Sequence, residues 1–127
     1  MKKTILFLDD DKFEMMGIYE FLISKGLLVI FCHELNQAKK ELDNGLKPDL
    51  ILTDLIMRSD PDESITDTHM TGIAFAKYAR EKIKCPIIIL TVATESRINE
   101  EAKKYIDEFI SKPKTPEFIY NKIMELL

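Results

Sequence analysis

The stretch Lys47-Pro48-Asp49-Leu50-Ile51-Leu52-Thr53-Asp54 decides how this chain is read. A short, uninterrupted apolar run between a proline and a carboxylate suits a strand covered on both faces, as in a parallel sheet. A strand with one wet face would alternate apolar and polar residues instead. Asp54 then stands where the strand leaves the core. Reactive groups of open parallel sheets gather at the carboxyl ends of strands, where a rigid backbone presents side chains to solvent. Asp54 is therefore the expected reactive centre.

Outward from this strand, four more segments read as buried strands: Thr4 to Leu8, Leu27 to Cys32, Pro86 to Val92, and a short one from Glu108 to Ser111. Helical patterns separate them. The first runs from Lys12 to Lys25 with Gly26 as its stop, and the second from Asn36 to Leu42, closed by Asn44-Gly45. Gly72 to Lys82 and Glu95 to Tyr105 follow, and Thr115-Pro116-Glu117 places an N-cap and a first-turn proline at the head of a last helix reaching Leu127. Strict alternation of strand and helix predicts an α/β fold, a doubly wound parallel sheet of five strands with five helices and right-handed crossovers.

The 127 residues suit one domain with a real core. With 18 basic and 22 acidic residues the net charge is -4, which implies no general polyanion-binding surface and no direct nucleic-acid partner. Cys32 and Cys85 lie far apart without metal-ligand spacing and read as reduced core thiols. The apolar run Ile5-Leu6-Phe7-Leu8 stops at Asp9, too short for a secretory signal, and no run approaches the ~20 apolar residues of a membrane span. The expectation is a cytoplasmic protein with no membrane role.

Two helices carry further expectations. In the first, Met15, Ile18, Phe21 and Leu22 share the core face, while Met16, Tyr19 and Ile23 widen the apolar arc along one flank, which is either covered by neighbouring loops or tolerated at the surface, or else is a partner-docking face. In the fourth, only Ile98, Ala102 and Tyr105 anchor the helix, so it shifts at low cost.

Several groups fall at the carboxyl ends of strands: Asp9, Asp10 and Asp11 after the first, Asp54 after the third, Thr91 at the fourth and Lys112 after the fifth. Asp10 or Asp11 also suits an N-cap for the helix that follows. Clustered carboxylates repel one another, so such a site raises a pKa or binds a cation, and oxygen ligands with few protein contacts favour Mg²⁺. With the charge offset, a carboxylate can attack phosphorus and form an aspartyl phosphate, whose oxygens a hydroxyl and an ammonium can hold.

Leu8-Asp9-Asp10-Asp11, Asp54-Leu55-Ile56-Met57, Ile88-Ile89-Leu90-Thr91 and Phe109-Ile110-Ser111-Lys112-Pro113, in this order, resemble the receiver domain of two-component response regulators, over essentially the whole chain. The resemblance implies a flavodoxin-like strand order 2-1-3-4-5 and a receiver domain over residues 1-127. It implies Asp54 as phosphoacceptor, Thr91 as switch hydroxyl, Phe109 as switch aromatic, and Lys112 as phosphate-binding lysine before a cis Pro113. It makes Asp10, Asp54 and the backbone carbonyl of Ile56 ligands of Mg²⁺, with Asp9 acting mainly through water. The implied phosphoryl donor is a histidine kinase or histidine phosphotransfer protein docked on the first helix. Phosphorylation would draw Thr91 inward, let Phe109 follow, and change a protein-binding surface, with homodimerisation through the Glu95 helix and last strand left open. Such a chain is a phosphoacceptor switch, an enzyme only toward itself.

The chain departs from that family after Met57. Arg58 stands where a proline is usual, and Gly72 arrives only after an insertion of about ten residues, placed at 58-71 and long enough to be functional or mobile. Within it, His69 with Asp60, Asp62, Glu63 and Asp67 lacks regular metal-ligand spacing. Ile56 and Ala93, two residues beyond Asp54 and Thr91, cannot orient an attacking water, which predicts a long-lived phosphoryl group. Two other functions compete. A pseudo-receiver would bind partners without phosphorylation, and a haloacid dehalogenase-like phosphatase would use Asp9, Asp11, Thr91 and Lys112 but leave Asp54 without a part.

Overall fold

A computed structural model describes residues 2-57 and 71-127. Its strands are β1 (Thr4–Leu8), β2 (Leu28–Cys32), β3 (Leu50–Thr53), β4 (Ile87–Thr91) and β5 (Glu108–Ser111). They form one parallel sheet in the order β2-β1-β3-β4-β5, as the alternation and the resemblance imply. The helices are α1 (Lys12–Ser24), α2 (Leu35–Asp43), α3 (Thr71–Lys82), α4 (Glu100–Lys103) and α5 (Pro116–Leu126).

The apolar runs are continuous because each strand faces two cores. From β1, Ile5 and Phe7 enter the layer containing Met15, Ile18 and Leu22 of α1 and Ile119 and Ile123 of α5. Leu6 and Leu8 enter the opposite layer with Leu35, Ala38, Phe75 and Ala76 of α2 and α3. Leu50 and Leu52 of β3 likewise join the first layer and Ile51 the second. Polar atoms on either face would be stranded, so no alternation is tolerated.

Local chemistry sets the element ends. Asp11 is the N-cap of α1, its carboxylate accepting the Glu14 N–H at 3.0 Å. Thr115 caps α5 in the same way through the Phe118 N–H, with Pro116 behind it. At the amino ends of the strands the Asp49 carboxylate accepts the Thr4 N–H at 2.7 Å and fixes the start of β1 against β3. Both cysteines are free and buried, and the Lys112-Pro113 peptide is cis.

The fourth helical segment differs from expectation. In place of one helix from Glu95 to Tyr105 there is a 3₁₀ turn over Glu95–Arg97, an extended residue at Ile98 (φ -99°, ψ 121°), and the single turn of α4. Asn99 interrupts the helix by capping it afresh, accepting the Ala102 N–H at 2.7 Å. Ile98 and Ala102 are still buried, with Ile89 and Leu55. Two of the three expected anchors hold, whereas Tyr105 lies beyond α4 and is half-buried against the second core layer.

On α1, Met16 and Ile23 are exposed, whereas Tyr19 is half-buried against the first core layer and so only partly free for docking. Phe21 is also half-buried, in edge contact with Tyr120 of α5. The insertion at 58-71 lies outside the described residues except for Thr71, which opens α3 and is buried. Among the described residues no helix is long and apolar enough to cross a membrane.

Candidate functional site

The carboxyl ends of β1, β3, β4 and β5 meet at one cleft of about 560 Å³, floored by Asp54 and bounded by Asp10, Glu14, Thr91 and Lys112. Asp9, Asp10 and Asp54 converge because β1 and β3 are register neighbours: Leu8 pairs with Thr53, and the Asp54 N–H donates to the Leu8 carbonyl at 2.9 Å. Asp9, Asp10 and Asp54 each offer a carboxylate oxygen, and these oxygens lie within 4.8 Å of one another. Asp9 is wholly buried and Asp54 nearly so, while Asp10 is half-exposed.

Lys112 enters from β5. Its N–H donates to the Thr91 carbonyl at 2.8 Å, which fixes the root of the side chain. Its ammonium then reaches Asp9 Oδ2 at 2.9 Å, Asp54 Oδ2 at 3.4 Å and Glu14 Oε1 at 3.6 Å, with only 5% of the side chain exposed. Burial works against this charge, but the Asp9, Asp54 and Glu14 carboxylates outweigh it and hold the ammonium above its ordinary pKa. Asp9 goes the other way for an acid: burial, assisted by the Asp54 charge and opposed by Lys112, pushes its carboxyl up to about 7. Among the described residues the Lys112 ammonium is thus ringed by three carboxylates, Asp9, Asp54 and Glu14.

The remaining groups are placed by backbone contacts. Asp54 Oδ1 accepts the Ile56 N–H at 3.2 Å, so one carboxylate oxygen is held and the other faces Lys112. Thr91 is buried, and its hydroxyl oxygen accepts the Ala93 N–H at 3.3 Å, leaving the hydroxyl proton free to donate. Phe109 is half-buried on the small cluster of Leu55, Ile89, Ala93, Ile98 and Ala102, beside the segment that follows Thr91. Every site residue expected from sequence therefore lies in or next to the cleft except Met16, Tyr19 and Ile23. Those three lie along α1, where Met16 and Tyr19 border a second, mainly apolar hollow with Phe31.

Three features were missed. Glu14 belongs to the Lys112 cluster, and its only sequence signal is an Asp11-x-x-Glu14 capping pattern that points elsewhere. Phe13 and Val92 stand 94% and 71% exposed at the cleft rim; Phe13 lies off the core face of α1, and Val92, read as the end of a buried strand, falls just beyond β4. Gly72, in the first turn of α3, donates its N–H to the Leu55 carbonyl at 2.9 Å. A Cβ there would collide with the Asp54 carbonyl oxygen and come within 2.9 Å of the Leu55 Cα. Glycine lets α3 press directly on the backbone that carries Asp54.

A parallel sheet in this order with three acids, a hydroxyl and a lysine at its carboxyl edge defines a receiver-type domain. The chain belongs to the response regulator receiver domain family, which it matches over residues 5–124, and this separates it from the phosphatases considered above. It is 29% identical over 124 residues to the protein PetR of Rhodobacter capsulatus, covering 97% of this chain and 48% of PetR, so it spans about half the length of that curated relative. Among solved structures, a two-component response regulator from Clostridium difficile superposes with a TM-score of 0.81 at 24% identity, covering 98% of this chain and 95% of that one. The response regulator TrrA from Thermotoga maritima, solved in complex with Mg(2+)-BeF, gives a TM-score of 0.77 at 23% identity, covering 98% and 99%. Receiver domains of two-component systems work as phosphoacceptor switches and interact with histidine kinases or phosphotransfer proteins.

Proposed function

We propose that this chain accepts a phosphoryl group on Asp54 from the phosphohistidine of a kinase or phosphotransfer protein, and that the modification changes its protein-binding surface. The observation that carries this reading is the convergence of the Asp9, Asp10 and Asp54 oxygens within 4.8 Å beside the buried Lys112 ammonium.

The donor set fits a hard divalent cation, since three converging carboxylates supply only oxygen. Asp10, Asp54 and the Ile56 carbonyl would hold Mg²⁺, with Asp9 acting mainly through water. When bound, Mg²⁺ supplies the positive charge that lets a phosphoryl group approach an anionic cleft.

The chain's own residues do the rest. The Ile56 N–H orients the Asp54 carboxylate so that its free oxygen faces the cleft and attacks phosphorus. The O–P bond forms as the donor's P–N bond breaks, and the bonding pair leaves on the imidazole nitrogen. Lys112, already 3.4 Å from Asp54 Oδ2, follows the charge onto the transferred phosphoryl oxygens, and Thr91 donates its hydroxyl proton to another of them. The pull on Thr91 is transmitted through Ala93 to the Ile98 and Ala102 cluster on which Phe109 rests. Because α4 is one turn long with Ala102 as its buried residue, that surface repacks at low cost. The exposed Met16 and Ile23 flank of α1 and the rim residues Phe13 and Val92 suit the docking partner.

Intact mass spectrometry after incubation with Mg²⁺ and acetyl phosphate tests this reading. One added phosphoryl group on the parent, absent from Asp54→Asn, is expected. An unlabelled parent whose partner affinity is unchanged would favour the pseudo-receiver instead.

A further inference from the structure

Glu14 sits in the third position of α1, where the Asp11-x-x-Glu14 pattern assigns its carboxylate to the Asp11 N–H. Only half of that capping box forms. Asp11 accepts the Glu14 N–H, but the Asp11 N–H donates to Asp9 Oδ1 at 3.0 Å. The Glu14 carboxylate instead turns to the Lys112 ammonium at 3.6 Å, from the solvent side of the cleft, with the Glu14 side chain 44% exposed. Its oxygen lies within about 7 Å of Asp54 Oδ2, since the two stand 3.6 and 3.4 Å from the same nitrogen. Glu14 thus lines the same cleft that a phosphoryl donor enters to reach Asp54.

We propose that Glu14 determines donor specificity: it holds Lys112 from outside and repels donors of high negative charge, so that Asp54 favours a phosphoryl group arriving with compensating positive charge. The proposal rests on the reading of Asp54 as phosphoacceptor and adds a residue to it. The position of this carboxylate, against the same ammonium as Asp54, explains the direction. Among the described residues, Glu14 is the acid lining the cleft mouth that neither caps a helix nor stands among the three converging oxygens. A free dianion such as acetyl phosphate feels the full repulsion. A phosphohistidine flanked by basic residues, or a zwitterionic phosphoramidate, feels less of it.

Glu14→Gln keeps the shape and half-exposed position while removing the charge, and Asp11 continues to cap α1. The initial labelling rates of parent and variant are compared by intact mass with acetyl phosphate and with phosphoramidate, in Mg²⁺ at low and near-physiological salt. A unit charge about 7 Å away in water predicts that the variant gains about fivefold with acetyl phosphate and about twofold with phosphoramidate at low ionic strength, both gains shrinking with added salt. Acetyl phosphate labelling of the parent rises with salt more than that of the variant. Equal rates for parent and variant with both donors, or a slower variant with both, overturn the role of Glu14 while leaving Asp54 phosphorylation intact. A parent labelled by neither donor overturns the reading of Asp54 itself, and this proposal with it.

Discussion

Replacing Asp9 with asparagine should change how stability depends on pH, and the structure gives sign and size. Asp9 is fully buried between Lys112 and the Asp54 carboxylate, and burial raises its pKa from 3.8 to about 7. The folded state therefore holds this proton more tightly than the unfolded chain does. Stability from the neutral form is complete below about pH 4 and lost as pH rises toward 7. At ~1.4 kcal/mol for each tenfold difference in proton affinity between the folded and unfolded chain, the loss is about 4 kcal/mol, undiminished by solvent because the residue has no exposed surface. Asp9→Asn is neutral throughout and lacks this term. Urea denaturation in metal-free buffer from pH 4 to 8 should show the variant gaining about 4 kcal/mol on the parent across that window, centred between the two pKa values. Mg²⁺ should oppose the parent's fall by favouring the ionised acids. A stability difference that stays constant from pH 4 to 8 would refute the burial argument for Asp9.

Other perturbations test the scaffold and the chemistry separately. Gly72→Ala drives a methyl into the Asp54 carbonyl and the Leu55 Cα; it should cost about 3 kcal/mol in urea melts and slow labelling of Asp54 as well. Arg80 donates to the Tyr105 and Cys85 carbonyls and to the Asp107 carboxylate, which also accepts the Ile87 N–H, so Arg80→Ala should cost about 1–2 kcal/mol by the same measurement. It should leave the labelling rate near that of the parent, because these bonds lie at the end of the sheet remote from the cleft. Ile56→Asn together with Ala93→Ser gives the cleft two groups able to orient water. The aspartyl phosphate half-life, followed by intact mass after donor removal, should fall roughly ten- to a hundredfold, and an unchanged half-life would count against the long-lived phosphoryl group expected of the parent.

The strands were legible because burial on both faces leaves an unbroken apolar run, as in Leu50-Ile51-Leu52, and this pattern survives without knowing what covers it. The site followed from the same logic, since strands of adjacent register bring their terminal side chains together: Asp9 and Asp10 from β1 meet Asp54 from β3. The fourth helix was less legible. Burial of Ile98 and Ala102 is satisfied equally by a helix and by a turn followed by an extended residue, and the decision lay with the Asn99 side chain. Glu14 and Arg80 were illegible for another reason. Each is a surface-type residue at an ordinary helical position, and its role is set by partners 98 and 27 residues away, Lys112 and Asp107, which only the folded chain brings close. Gly72 reads as a helix-opening glycine in sequence, while its contact with the Asp54 carbonyl is a property of the packed chain.

Asp54 is the carboxylate proposed to carry the phosphoryl group. Borohydride reduces an aspartyl phosphate to homoserine, so labelling with acetyl phosphate and Mg²⁺, reduction, proteolysis and peptide sequencing by mass spectrometry locate the modified residue directly. Homoserine at position 54, absent without donor and absent from Asp54→Asn, is the predicted result. Homoserine at Asp9, Asp10 or another carboxylate, with position 54 unmodified, would contradict it.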